Sequence, residues 1–281
     1  MRIVTFDSIK DAVCEMCGTA ACDLPQDVLD ALKCAGEKEK SELGADFFRQ
    51  YLLNADIARK ERLPLCQDTG FAVFFIRLGS EVVLDRGTVS EAVNAGVREG
   101  YKKFFLRKSI VADPLFDRKN TFDNTPAVIH LEQVPGDKIN IILAPKGGGS
   151  ENMSALKMLK PAEGRQGVVD FVVNAVTSAG GNPCPPTVVG VGIGGTMEYA
   201  AFMAKKALIR EVGKSSADPR YAELEKEILE KINASGVGPQ GLGGDITALA
   251  VHIEFHPCHL ASLPVAINLN CHAARHAEVT L

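Results

Sequence analysis

Two hydrophobic periods run through this chain, and together they confine it to a mixed α/β architecture. Over the first 62 residues apolar side chains recur at helical spacing. Ile9, Val13, Met16 and Cys17 share one helical face, Val28, Leu29 and Leu32 follow Pro25 on a second, and Leu43, Phe47, Tyr51 and Leu52 form a third stripe that stops near Pro64. Towards the other end the period changes to two. Leu249, Val251, Ile253 and Phe255 alternate with Ala250, His252 and Glu254, and Val265, Ile267 and Leu269 alternate with Ala266, Asn268 and Asn270. Those are strands, and their closeness in sequence predicts a hairpin.

The middle of the chain mixes both periods. Phe71–Ile76, bounded by Gly70 and Gly79, reads as a buried strand, and residues 89–105 as an amphipathic helix carrying Val93, Val97, Tyr101 and Phe104. Strands are expected near 126–134 and 138–144, ending in the Gly147-Gly148-Gly149 loop. Helices are expected at about 151–160 and 165–179. A strand from Thr187 to Val191 then runs into a glycine cluster and a helix over 196–211, and Asp218-Pro219 opens a helix over 219–233. The expected fold is therefore mixed α/β: N-terminal helices (about 1–62) followed by a mixed sheet packed with helices. At 281 residues the chain can bury a sizeable core. It shows no repeat and no long linker, so a single domain over 1–281 is expected. The Gly-rich stretch 234–245 is the best boundary candidate and reads equally well as a loop within one domain.

Charge and termini remove several function classes. A formal net charge of −4, with no Lys/Arg block, argues against a nucleic-acid binder. The opening Met1-Arg2-Ile3-Val4-Thr5-Phe6-Asp7 has no apolar signal core. No segment approaches the ~20 apolar residues needed to span a bilayer. A cytoplasmic protein is expected, free of membrane contact. Its eight cysteines would then be thiols, metal ligands or redox groups, not a disulfide framework.

Three of those cysteines sit in unusual settings. Cys66 lies between Pro64 and the Asp68-Thr69-Gly70 turn, Cys184 lies in Gly181-Asn182-Pro183-Cys184-Pro185-Pro186, and Cys271 ends a strand at Asn270-Cys271-His272. Each falls where a side chain can point into a shared cavity, and thiolates are the usual ligands of iron–sulfur clusters. Spacing alone favours the plainer reading of buried or inert thiols. Cys14, Cys17, Cys22 and Cys34 are expected to be packing residues. No His or Cys pair finds a second partner at zinc-site spacing. Gly190, Gly192 and Gly195 fit G-x-G-x-x-G, but the acidic-ended parallel strand of a dinucleotide fold does not follow, so they are expected to permit close backbone packing.

Several motifs, in order along nearly the whole chain, resemble those of the class I fumarases and tartrate dehydratases. They are Leu65-Cys66-Gln67-Asp68-Thr69-Gly70, Leu106-Arg107-Lys108-Ser109 with Asp113-Pro114-Leu115, Asn120 through Asn124-Thr125-Pro126-Ala127, and Lys146-Gly147-Gly148-Gly149-Ser150-Glu151-Asn152. Asn182-Pro183-Cys184-Pro185-Pro186, Val189 through Thr196 and Asn268-Leu269-Asn270-Cys271-His272-Ala273 complete the set. The resemblance implies an iron–sulfur hydro-lyase, with reversible hydration of fumarate to malate as the first expectation and L(+)-tartrate dehydration as the alternative. Distant alternatives are a dinucleotide-binding oxidoreductase and a non-catalytic assembly subunit.

The same resemblance implies a [4Fe–4S] cluster held by Cys66, Cys184 and Cys271, leaving one iron without a protein ligand. It casts Asp68 and His259 as an acid–base pair and Gln67, Arg107, Gly148 and Gly149 as substrate-binding residues. Arg107 suits a carboxylate because its guanidinium is a bidentate fork, and the glycine loop can offer N–H groups to an oxyanion. In the family, further substrate residues and the catalytic base lie in a second module. This chain is accordingly expected to be the α subunit of a two-chain form, requiring a separate β subunit that supplies the rest of the active site, with α2β2 assembly.

Overall fold

The computed structural model describes residues 1–281. Along the chain its elements are β1 (Arg2–Val4), α1 (Phe6–Cys22), α2 (Gln26–Lys38), α3 (Glu42–Glu61), β2 (Phe71–Gly79), β3 (Val82–Leu84), α4 (Val89–Lys103), β4 (Val128–Val134), β5 (Ile139–Lys146), α5 (Gly148–Glu151), β6 (Ala155–Leu159), α6 (Gly164–Ala179), β7 (Thr187–Gly194), α7 (Met197–Ala207), α8 (Pro219–Asn233), β8 (Ala248–His256), β9 (Leu263–Asn270) and β10 (Ala277–Thr280). The mixed α/β expectation holds. The elements gather into two compact units, each assembled from separate stretches: residues 1–24, 55–148 and 275–281 form the first, and 25–54 and 149–274 the second.

In the first unit the Thr5 hydroxyl accepts the Ser8 N–H at the start of α1, and Thr88 with Glu91 forms a reciprocal capping box at the start of α4. The two helices lie close because α4 offers glycine at the contact. A Cβ on Gly96 would stand 2.5 Å from the Lys10 carbonyl, and one on Gly100 2.8 Å from the Cys17 Cβ. The sheet has the order β10-β5-β2-β4, with β2 parallel to β4 and antiparallel to β5. Phe74, Ile76, Ile139, Ile141 and Leu143 from the sheet share one core with Val13, Val97 and Tyr101 from the helices. Each such side chain contributes about 1.5–3 kcal/mol through burial.

In the second unit β7 is central and buried along its whole length, parallel to β8 and antiparallel to β9, in the order β6-β9-β7-β8. Its alternate residues face opposite layers. Val189, Val191 and Ile193 join a core with residues of α6 and α8. Gly190 and Gly192 turn to α7, where an added Cβ would stand 2.1 Å from the Ala204 carbonyl and 2.0 Å from that of Ala200. The glycine cluster therefore serves helix–sheet packing.

Four expectations need correction. The segments around 249–255 and 265–269 are strands, but not a hairpin: β7 lies between them and pairs with both. Residues 151–160 are not a helix. A single helical turn ends at Glu151, and β6 then pairs antiparallel with β9, from Ala155 opposite Ile267 to Leu159 opposite Leu263. The run holds good helix formers, and cross-strand pairing overrides that preference. The helix expected over 196–211 stops at Ala207. Cys34 is exposed, not packed, because it lies off the α2 face formed by Val28, Leu32 and Ala35. The Gly-rich stretch 234–245 lies inside the second unit. There Glu39 takes the N–H groups of Asp245 and Ile246 at 3.0 Å.

Candidate active site

The first unit carries Cys66, Gln67, Asp68, Arg107 and Gly148, and the second carries Gly149, Cys184, His259 and Cys271. Each group is built by a different local device.

Cys66, Gln67 and Asp68 form an irregular turn between α3 and β2. Its start is pinned by the Leu65 N–H donating to the Ala21 carbonyl at 2.8 Å. The Cys66 thiol is half-buried, lies 3.4 Å from the Gln67 Oε1 and accepts the Asp68 N–H at 3.4 Å. Both carboxylate oxygens of Asp68 accept backbone bonds: Oδ1 from Gly70 at 3.0 Å and Oδ2 from Gly148 at 2.8 Å. The carboxylate is thereby fixed over the first residues of the glycine loop, and the Gly148 N–H is engaged by Asp68. Arg275 donates to the Asp68 carbonyl at 2.8 Å, and the Tyr101 hydroxyl donates to that of Gly70 at 2.9 Å. Arg107 is brought to this turn through its backbone, whose carbonyl accepts the Thr69 hydroxyl at 3.0 Å. Its side chain is exposed and takes no part in the chain's ion pairs.

Cys184 and Cys271 meet through strand register. Cys184 lies just before β7 and Cys271 just after β9, and the antiparallel pairing sets Val188 opposite Asn270. Both thiols therefore emerge at the same end of the sheet. The His272 N–H donates to the Cys184 carbonyl at 3.2 Å, and His272 Nδ1 lies 3.2 Å from the same oxygen. Cys184 adopts φ +54°, the left-handed region that costs a non-glycine residue of order 1 kcal/mol or more, a strain found most often at functional sites.

Tyr51 and Gln240, which nothing in the sequence marked as site residues, support this pair. The Tyr51 ring stacks on His272 with centroids 4.0 Å apart and an 18° interplanar angle. Its hydroxyl accepts from Gln240 Nε2 at 2.7 Å and donates to the Pro185 carbonyl at 3.4 Å. Burial pushes the phenol up to about 12, so it stays protonated at ordinary pH. In the sequence Tyr51 is one residue of an apolar stripe, and His272 is the residue after Cys271. His259 lies in the exposed loop after β8, where its Nδ1 accepts the Ala261 N–H at 3.1 Å.

None of the eight cysteines is in a disulfide. Burial raises the thiols of Cys14, Cys17 and Cys22, as suits packing residues. No three His, Cys, Asp or Glu side chains are grouped to hold a single metal ion. A cluster is a different case, since each thiolate binds a different iron and the ligands need not converge on one point.

The sequence matches the family described as fumarate hydratase (fumerase) over residues 10–280. A Methanocaldococcus jannaschii protein provisionally named L(+)-tartrate dehydratase subunit alpha is 45% identical over 96% of this chain and 96% of its own length. Two Escherichia coli proteins named L(+)-tartrate dehydratase subunit alpha are 36% and 35% identical over 92% of this chain and 87% of theirs. No helix is long and apolar enough to cross a membrane. The chain belongs to the fumarate hydratase family and is a hydro-lyase subunit.

Proposed function

We propose that this chain is the cluster-bearing α subunit of a heteromeric, α2β2 hydro-lyase that adds water to a small unsaturated dicarboxylate, converting fumarate to malate and back. Tartrate dehydration is the second reading, favoured by the names of the relatives. The observation that carries the proposal is the β7–β9 register that sets Cys184 and Cys271 at one sheet end.

The donor set suits a [4Fe–4S] cluster: three cysteines outside any disulfide, on irregular backbone, offering soft sulfur donors. Cys66, Cys184 and Cys271 would hold it. When bound, it supplies an iron free of protein ligation, a Lewis acid for substrate oxygens. The remaining work falls to the chain's own side chains. Arg107 binds a substrate carboxylate with its exposed fork. Gln67 and the Gly149 N–H add hydrogen bonds to substrate oxygens. Asp68, oriented by its two backbone bonds, holds or releases a proton, with His259 as its partner in that exchange. Gly148 acts by fixing the Asp68 carboxylate. The β subunit supplies the rest of the site. Eight cysteines outside any disulfide support a reducing, cytoplasmic setting.

The test is anaerobic purification with and without the partner subunit, followed by iron and sulfide analysis and steady-state kinetics on fumarate, malate and L(+)-tartrate. About four irons per chain, absorption near ~400 nm and turnover only in the complex are expected. A higher kcat/KM for L(+)-tartrate than for malate would transfer the assignment to the second reading. An iron-free protein that cannot be reconstituted would refute both.

A further inference from the structure

The connection between α4 and β4, residues 104–127, contains an ordered hairpin that displays apolar side chains to solvent. Val111 bridges Asn120, the Thr121 N–H donates to the Ile110 carbonyl at 2.9 Å, and the Ala112 N–H donates to that of Lys119 at 2.8 Å. At its tip the Asp113 carboxylate accepts the N–H groups of Leu115 and Phe116. Leu115 is 71% exposed and Phe116 83%; Phe105 and Phe122 at the hairpin base are 91% and 78% exposed. Summed over the four side chains, roughly 600 Å² of apolar surface is exposed, using about 200 Å² for a whole phenylalanine. That sum is most of the ~800 Å² that each side of a standard interface buries.

Backbone geometry reinforces the point. Phe105 (φ +54°) and Phe122 (φ +63°) both occupy the left-handed region. Bulky residues are held there, of order 1–3 kcal/mol each, only where the surroundings impose it. The surroundings are the candidate site. Asn124, fully buried, accepts the Ser109 N–H at 2.8 Å and donates to the Gly70 carbonyl at 3.3 Å, while Thr69 holds the Arg107 carbonyl. Both ends of the hairpin are thus tied to the turn that carries Cys66 and Asp68.

We propose that this hairpin is the docking element for the β subunit, which by seating on Leu115, Phe116 and Phe122 is set beside Arg107 and the Cys66–Gly70 turn. The proposal rests on the subunit reading above. A protein partner is favoured over a lipid surface because the tip carries both signs of charge, with Asp113 and Asp117 beside Arg118 and Lys119. A heterologous partner is favoured over a second copy because a two-chain hydro-lyase must bring its other subunit to this turn to complete the site, and relatives of near-full coverage are named as one subunit of such an enzyme.

The experiment measures binding of the purified β subunit to the full-length chain by calorimetry, for wild type, the double variant L115D/F116D and F122S. Hydrogen exchange over residues 110–122 is followed with and without partner. At least thirtyfold weaker binding by the variants is expected, with slowed exchange across the hairpin in the wild-type complex. Unchanged affinity, or a complex in which these amides exchange as in the free chain, would overturn the proposal. So would variants that abolish self-association of the chain, or its sedimentation with phosphatidylserine vesicles, while sparing β-subunit binding. A wild-type chain that turns over alone and binds no partner would overturn the subunit reading as well, which separates the two failures.

Discussion

Tyr51 is the side chain through which the second unit holds its two cysteine-bearing ends, and substituting it separates ring from hydroxyl. Tyr51→Phe keeps the stack on His272 and loses the bonds with Gln240 at 2.7 Å and Pro185 at 3.4 Å. Only the first is short, so the cost should be about 1 kcal/mol. Tyr51→Ala removes a side chain buried beside Phe48, whose ring meets it edge-on at 5.9 Å, and the stack as well. An aromatic truncation of that kind costs about 3–5 kcal/mol, a large share of ordinary domain stability of roughly 5–15 kcal/mol. Urea unfolding of the iron-free chain, followed by circular dichroism, gives the two values. The rate of iron loss to a chelator from the reconstituted protein gives the consequence for the site. Phe should retain iron nearly as wild type does, and Ala should release it at least tenfold faster. Because burial holds the phenol near 12, neither difference should change between about pH 6 and 9. If Phe proves as damaging as Ala, the hydroxyl is the support and the stack is not. If Ala costs under about 1 kcal/mol and keeps its iron, neither is.

Three further outcomes are expected. Gly192→Ala places a methyl 2.0 Å from a helix carbonyl and should destabilise by about 3 kcal/mol or more, read as a lower urea midpoint; a neutral effect would remove the close approach of α7 from the account. Burial, and then the Arg210 charge, hold His252 below its ordinary value of 6.5. The unfolded chain therefore takes up a proton that the folded one refuses as pH falls through 6.5, and stability present above that pH is lost below it. The slope between pH 7 and 5.5 should flatten in His252→Gln, and an unchanged slope would assign it to other groups. Arg107→Ala should raise KM for the dicarboxylate about tenfold or more in the assembled enzyme without altering iron content, and unchanged kinetics would remove Arg107 from substrate binding.

The elements easiest to read were those whose pattern is local. The helix over Val89–Lys103 follows from its own stripe and capping box, and Pro219–Asn233 from Asp218-Pro219. What escaped was set by partners far along the chain. β6 has a helical composition and becomes a strand because β9 offers it a ladder. β8 and β9 look like consecutive hairpin strands, and only the insertion of β7 shows otherwise. At the site, Cys66, Cys184 and Cys271 stood out by their proline-, glycine- and strand-end settings. Tyr51 could not, because an aromatic on a helical stripe looks the same whether it fills a core or stacks on a histidine. Gly148 was expected to serve an oxyanion, and its N–H is engaged by the chain's own Asp68.

The interleaving of the two units bears on how the protein is made. β10, residues Ala277–Thr280, pairs with β5 along Asn140–Leu143, and Leu281 exchanges backbone bonds with Ile139. All of residues 149–274 are synthesised between those partners. At translation speeds of roughly 5–20 residues per second, the β5 edge waits on the order of ten seconds for its neighbour. An unpaired strand edge rich in isoleucine is a template for pairing between nascent chains. A ribosome stalled inside the second unit would hold the first with that edge bare, so the yield of folded protein should depend on translation speed through this stretch more than on the sequence of the edge itself.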